Sequence, residues 1–278
     1  MKWGLSILAL CALLAATAPE GGAAEQGGGD AKLLKMVVLS RHGVRSPTQS
    51  SETLESWSRK DWPEWPVKRG ELTQRGAKLV TAMWEQEAAF LREAGLLPSK
   101  GCPEAGTIAV RVDRDQRTRV TGEAVLEGLA PGCGFKPIVN ETDHPDPLFH
   151  PLEAGYCALD PAVVRKEIPV GAIEGLEQSL SGPIGELAAI LGPASPEFCR
   201  KHQLPEGCTV ADVPTRLTLA KDNRTVHLDG KLGTASSAAE IMLLEYGQWD
   251  HPAGWGAVDK GALQRLLPVH STVFDAVN

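Results

Sequence analysis

Hydrophobic residues in the first half of the chain occur both in short unbroken runs and in helix-spaced patterns. Residues 36–39 (Met-Val-Val-Leu) form an unbroken apolar run, which predicts a strand covered on both faces. Helical spacing of apolar residues predicts a helix from 72 to 94. A second apolar run predicts a strand at 106–112, and a helix is predicted from 121 to 129. A strand, a polar cluster and a helix, occurring twice in succession, are typical of βαβ units in an α/β fold.

The residue pattern in the second half of the chain predicts a mainly helical region. Residues 135–165 are rich in Pro and His and show little periodicity. Apolar spacing beyond them predicts three helices, at 172–180, 183–191 and 236–246. We therefore predict a helical domain inserted into an α/β domain. The predicted bounds are 25–134 for the first part of the α/β domain, 135–260 for the insertion, and 261–278 for the start of the return.

The start of the chain has the layout of an export signal. Lys2 precedes an apolar run at 5–16, and small residues follow at 16–18 and 22–24. Residues 1–24 are therefore predicted to be a signal peptide whose removal leaves a soluble periplasmic or secreted protein. Because the run is shorter than a membrane span, we expect no membrane partner after removal. The formal charge of -7 argues against nucleic acid as a partner and favours small molecules, while the oligomeric state is left open.

Export permits disulfides, and five cysteines remain after residue 24. Cys199 with Cys208 can close a short loop, and Cys102 with Cys133 a longer one. Cys157 is then left over, and a partner elsewhere, a free thiol and a buried inert thiol are all open. No two cysteines have C-x-x-C spacing, which disfavours zinc, and we predict no metal or other cofactor.

The polar cluster after the first predicted strand carries candidate chemistry. His42 stands between Arg41 and Arg45 at the carboxyl end of that strand, where α/β sheets bind ligands. Guanidinium groups bind phosphate oxygens in bidentate fashion, and their charge disfavours protonation of a nearby imidazole. A neutral imidazole is nucleophilic, so these residues predict a phosphate pocket with His42 as the nucleophile. An ordinary solvated turn is the alternative for the bare Arg-His-Gly tripeptide.

Three stretches of the chain form recognisable motifs. They are residues 41–48 (Arg-His-Gly-Val-Arg-Ser-Pro-Thr), 65–67 (Trp-Pro-Val) and 72–76 (Leu-Thr-Gln-Arg-Gly). They resemble the RHGxRxP, WPV and LTPRG elements of the histidine acid phosphatases (histidine phosphatase superfamily, branch 2), especially bacterial periplasmic phytases and glucose-1-phosphatases. The resemblance covers nearly the whole chain after residue 24. It implies a phosphoglycerate-mutase-like three-layer α/β/α domain, here incomplete, with an inserted, mainly helical domain.

The resemblance also implies roles for individual residues. It identifies His42 as the nucleophile and three arginines as the groups that hold phosphate, namely Arg41, Arg45 and Arg117. Arg114 and Arg119 lie near Arg117 in sequence, but the position after Gln116 best matches the pocket arginine of the family.

Two further residues correspond to positions that contact substrate in the family. Thr48 matches a position near the rim of the substrate site. Glu240 aligns with an acidic residue that could hydrogen-bond hydroxyls of a sugar or inositol. An exposed carboxylate on a helix is the alternative reading of Glu240.

The family's C-terminal His-Asp motif, which supplies a phosphate-binding histidine and the proton donor, has no counterpart in these residues. We therefore expect a truncated family member that exposes an unfinished sheet edge and apolar surface. In the family the counterpart of Cys157 pairs with a cysteine near the C-terminus, which accounts for the odd cysteine.

Two kinds of function follow from these residues. The first is an acid phosphomonoesterase that hydrolyses sugar or inositol phosphates through a phosphohistidine at His42, without a metal, and that is impaired by the missing motif. The second is a non-catalytic remnant that binds phosphate esters. A third reading is that the sequence is a fragment of a full-length phosphatase.

Overall fold

A computed structural model of the chain describes residues 32–156, 160, 170–219, 226–249 and 251–277. The predicted signal peptide at 1–24 and Cys157 lie outside the described residues. None of the helices in the described ranges is both long enough and apolar enough to cross a bilayer.

The described residues form eight helices, four strands and a 3₁₀ turn. The helices are α1 (Ser51–Trp57), α2 (Gln74–Glu93), α3 (Gln116–Leu129), α4 (Val170–Ser179), α5 (Ser181–Leu191), α6 (Pro196–Lys201), α7 (Lys231–Gln248) and α8 (Lys260–Val277). The strands are β1 (Arg111–Val112), β2 (Ile138–Val139), β3 (Arg216–Leu219) and β4 (Val226–Asp229), and a 3₁₀ turn covers Val210–Asp212.

The first part of the fold contains a βαβ unit, but its second strand, β2, lies where the sequence predicted no strand. β1 pairs in parallel with β2, with Arg111 opposite Ile138 and Val112 opposite Val139, and α3 lies between them in the chain. The predicted strand at 106–112 is confirmed only over its last two residues. α3 begins at Gln116 rather than at residue 121, while α2 lies close to its predicted span.

The strand predicted at 36–39 is wrong for the described structure. These residues have no ladder partner among the described strands, and Val37 and Leu39 are 87% and 94% exposed. An apolar run becomes a strand only when a neighbouring strand satisfies its N–H and C=O groups. Beside the run lies a cavity of about 630 Å³ lined by apolar residues of α2, α3 and the segment before β1. Apolar surface is exposed at this run, while the expected truncation stays a prediction.

Two separate hydrophobic cores hold the described residues together. The smaller core lies between α2 and α3, where Trp84, Ala88, Val125 and Leu129 pack together. The larger core is formed by α1, α5, α6, α7 and α8, with Leu187, Leu232, Met242 and Leu266 fully buried.

The helical part contains an element that sequence patterning missed. β3 and β4 form an antiparallel hairpin before α7, with Leu217 opposite Leu228. α8 packs on α7 and joins the larger core through Leu266 and Val269. The predicted domain bounds, including the return at 261–278, stay predictions.

Both predicted disulfides are confirmed. Cys102 pairs with Cys133 beyond the C-terminal end of α3, and Cys199 pairs with Cys208 inside the larger core. A disulfide of either loop length stabilises a domain by about 2–4 kcal/mol on the chain-entropy model.

The loop at 43–46 is fastened to the start of α2 by backbone contacts. Thr73 N donates to Val44 O at 3.0 Å, and Ser46 N donates to Glu71 O at 3.0 Å. Thr73 also caps α2, because its Oγ1 accepts from Gly76 N at 2.9 Å. Helix and loop approach so closely that a Cβ on Gly76 would lie 2.2 Å from Val44 O. Position 76 therefore requires glycine.

We predict that Gly76→Ala lowers the free energy of unfolding by about 3 kcal/mol, the upper end of overpacking costs, because backbone would have to move on both sides. Urea denaturation followed by circular dichroism measures this. Gly185→Ala is the matched control, since Gly185 lies in α5 with nothing within 4 Å of its added Cβ. That control should stabilise the protein by up to about 1 kcal/mol through helix propensity. Equal stabilities of the two variants would contradict the prediction.

Candidate active site

His42 is half-buried and is held in one tautomer. Its Nδ1 lies 2.8 Å from Gly43 O, and a carbonyl oxygen can only accept, so Nδ1 carries the proton. Nε2 then holds a lone pair, which accepts from Arg45 Nε at 3.3 Å. The structure therefore presents the unprotonated nitrogen toward the guanidinium of Arg45.

Arg45 lies at the centre of the site, with a side chain only 6% exposed. Its Nη1 donates to Ser46 O at 3.0 Å, and its Nη2 donates to both carboxylate oxygens of Glu240 at 3.0 Å. A buried guanidinium is stable only when its donors are satisfied, and these contacts satisfy it.

Glu240 joins the helical part of the fold to the arginines. It lies on α7, and its Oε1 also accepts from Arg41 Nη2 at 3.0 Å. The role expected for Glu240, hydrogen bonding to substrate hydroxyls, differs from this geometry, since both oxygens are directed at guanidinium groups. On α8, His270 Nδ1 lies 3.2 Å from Ser236 Oγ, and its charge acts on Glu240.

Arg117 completes what we call the arginine cluster, defined as Arg41, Arg45 and Arg117. It lies at the start of α3, pairs with Asp115, and is close enough for its charge to act on His42. Thr48 and Arg117 both face Gly70, where an added Cβ would lie 3.5 Å from Thr48 Cγ2 and 3.8 Å from Arg117 Nη1.

Arg114, which lies near Arg117 in the sequence, has a different partner. Arg114 Nη1 donates to Thr142 O at 2.9 Å, and Arg114 is not among the charges that act on His42. The structure thus brings Arg117 rather than Arg114 to the histidine.

Two supporting residues were not identified from the sequence. Gly43 N donates to Thr121 Oγ1 at 3.1 Å, and Leu72 N donates to Gln116 Oε1 at 2.8 Å. Both side chains come from α3. Thr121 fixes the loop that carries His42, and Gln116 fixes Leu72, which forms a β-bridge with Arg45 in that loop. Gln116 follows the second predicted strand, and Thr121 is the first residue of the helix predicted at 121–129, but nothing in their spacing pointed to these partners.

The electrostatics favour a neutral His42. Burial is the largest cause that lowers the pKa of His42 below its ordinary 6.5, and the charges of Arg45, Arg41 and Arg117 act in the same direction. The hydrogen bond to Gly43 O acts to raise the pKa of His42, but the pKa remains lowered.

The carboxyl of Glu240 is held ionised by its surroundings. Burial alone would raise the pKa of Glu240, but the charges of Arg45, His270 and Arg41 together hold it below its usual value. The site therefore combines a neutral imidazole with fixed cations, which suits nucleophilic attack on a phosphoryl group. The described residues contain no group of three or more metal-ligating side chains.

Comparison with known proteins relates this chain to one family. Residues 32–167 match the model of the histidine phosphatase superfamily (branch 2). Phytase AppA of Escherichia coli (strain K12) is 37% identical over 250 residues, which are 87% of this chain and 57% of that protein. A glucose-1-phosphatase of Salmonella typhimurium is 26% identical over 94% of this chain and 60% of its own length.

Solved structures give the same result. Hafnia alvei phytase in complex with tartrate superposes with a TM-score of 0.73 at 36% identity, over 84% of this chain and 58% of that one. The phytase from Citrobacter braakii superposes with a TM-score of 0.72 at 31% identity, over 85% of this chain and 58% of that one. The chain thus spans less than two thirds of the length of these proteins.

We predict that His42 titrates below pH 6.5 in the folded protein, because burial and three guanidinium groups disfavour its charged form. The pH dependence of its Cε1–H proton resonance measures this, with the urea-unfolded chain as the control near 6.5. Since the unfolded state takes up this proton first, the contribution of His42 to stability should fall as pH drops from 6.5 to the folded pKa. A folded pKa at or above the unfolded value would contradict the prediction.

Proposed function

Because the chain belongs to the histidine phosphatase superfamily (branch 2), we propose that it is an acid phosphomonoesterase with His42 as the nucleophile. The single observation that carries this is the tautomer of His42. With Nδ1 bonded to Gly43 O, the lone pair of Nε2 is directed into the arginine cluster, where a phosphoryl group would bind.

The reaction proceeds in two displacements. Nε2 of His42 attacks phosphorus, a P–N bond forms, and the ester P–O bond breaks so that the alcohol oxygen leaves with the electron pair and takes up a proton. Water then attacks the phosphohistidine, the P–N bond breaks, and phosphate is released with the imidazole restored. No metal is needed, because the guanidinium groups supply the charge that stabilises the phosphoryl oxygens.

The arginine cluster is the proposed phosphate-binding set. Arg45 is fixed by burial, Arg41 is more exposed, and Arg117 approaches from the start of α3. Thr48, next to Arg117 across Gly70, is proposed to contact the substrate at the rim of the site. The alcohol part of the phosphate ester would then point away from His42 toward solvent.

We propose sugar or inositol phosphates as the substrates. The support comes from the relatives, which include phytases and glucose-1-phosphatases. The pattern of residues 1–24 and the two disulfides support action outside the cytoplasm.

A phosphate-ester binding protein without turnover is the second candidate. The carboxylates beside the arginine cluster favour this candidate. Glu240 and Asp115 are both bonded to arginines and so are not free to donate a proton to a leaving group. Within the described ranges, no carboxylic acid hydrogen-bonds to His42. Such a protein would bind the phosphate without forming a P–N bond.

The first experiment separates the two candidates by trapping the phosphoenzyme. Wild-type protein quenched in alkali during incubation with radiolabelled p-nitrophenyl phosphate should retain an acid-labile label, and His42→Asn should lose it, because His42 forms the P–N bond. His251→Asn, which changes an exposed histidine, is the matched control and should keep the label. An unlabelled wild-type protein that still binds phosphate would favour the binding protein.

The second experiment concerns the leaving group. Glu240 and Asp115 are both paired with arginines and are not free to protonate a leaving oxygen. We therefore expect kcat/KM for p-nitrophenyl phosphate to exceed that for glucose 6-phosphate by about 10²–10⁴, the range typical of a missing general acid. An aryl oxygen departs without a proton, whereas an alkyl oxygen requires one. Steady-state assays of phosphate release from both esters measure the ratio, and equal values would show that a proton donor is present.

A further inference from the structure

The protein's own groups use four of the five N–H donors of Arg45. Nε donates to His42, Nη1 donates once to Ser46 O, and Nη2 donates to the two oxygens of Glu240. Both edges of a guanidinium that can bind an anion in bidentate fashion include Nη2. The carboxylate of Glu240 therefore stands at the position that a phosphate would take on Arg45.

The other two residues of the arginine cluster are also paired with carboxylates. Arg41 shares Glu240 Oε1 with Arg45, and Arg117 pairs with Asp115. Three guanidinium groups thus face two carboxylates, which leaves one net positive charge for an incoming anion. A phosphate dianion gains most from this site if it replaces a carboxylate rather than adding to it.

We propose that Glu240 is a displaceable counter-ion that holds Arg45 against His42 until the phosphoryl group of the substrate replaces it. This inference rests on the proposed function, in which the arginine cluster receives phosphate. Glu240 is then a positioning residue, which acts on the nucleophile through Arg45. Its carboxylate sets how tightly phosphate binds.

Displacement of Glu240 also frees the nucleophile. Arg45 Nε caps the lone pair of His42 Nε2 at 3.3 Å, and this contact depends on where Nη2 is held. When a phosphoryl oxygen takes over Nη2, the guanidinium moves toward the ligand and the lone pair becomes available for attack. The displaced carboxylate has His270 on α8 as a second cationic partner whenever that ring is protonated.

The test measures binding of inorganic phosphate by isothermal titration calorimetry, without turnover. Glu240→Gln keeps the shape of the side chain and removes the competing charge, so we expect its Kd to be about tenfold lower than that of the wild type. Glu186→Gln is the matched control, because Glu186 bonds Arg265 through both oxygens at 2.6 and 3.0 Å outside the site. Its Kd should equal that of the wild type.

A Kd for Glu240→Gln that is unchanged or higher, while wild type binds phosphate, would overturn the displacement and leave the proposed function intact. Absence of phosphate binding in both proteins would overturn both. If the variant does not fold, wild-type protein with ¹³C-labelled glutamate supplies the measurement. Its Glu240 Cδ resonance should shift as phosphate saturates the site, and a resonance that stays fixed would overturn the displacement.

Discussion

The geometry of the site depends on the backbone pairing that fastens residues 44–46 to residues 71–73. The loop that carries His42 has no regular secondary structure of its own, so its shape is set by hydrogen bonds to its neighbours. Thr73 both closes this pairing and caps α2, and Gly76 lets the helix backbone approach the loop. Thr121 fixes Gly43 from the other side. A chain segment without regular secondary structure thereby holds an imidazole nitrogen at a defined position.

The charges of the site are balanced by residues distant in sequence. Arg45 could not remain buried without a partner, since an unpaired buried charge is strongly destabilising. Glu240 supplies that partner from a helix nearly two hundred positions later, and α7 can present it because its opposite face is embedded in the larger core. The stability of the helical part is thus a condition for the electrostatics around His42.

Local signals in the sequence were sufficient for some features and insufficient for others. The spacing of apolar residues located α2 and α5, because this signal acts over a few residues. The strand β2 was missed, because its two residues lie in a stretch without periodicity and become a strand only by pairing with β1. The run at 36–39 was misread, because strand formation requires a partner that a local pattern cannot show. His42, Arg45 and Arg117 were found through motif and resemblance, whereas the partners of Glu240 and Thr121 are set by the packing of helices against the loop.

The contact between Gly247 and Val44 fixes how the two cores sit at the site. Gly247 O accepts from Arg75 Nε at 2.9 Å, and an added Cβ on Gly247 would lie 2.8 Å from a Val44 methyl group. The arginine cluster belongs to one side of this junction and Glu240 to the other, so separation of the two sides lengthens the ion pairs that neutralise the guanidinium groups. Opening of the junction then increases the positive potential at its mouth and raises the local concentration of diffusing anions.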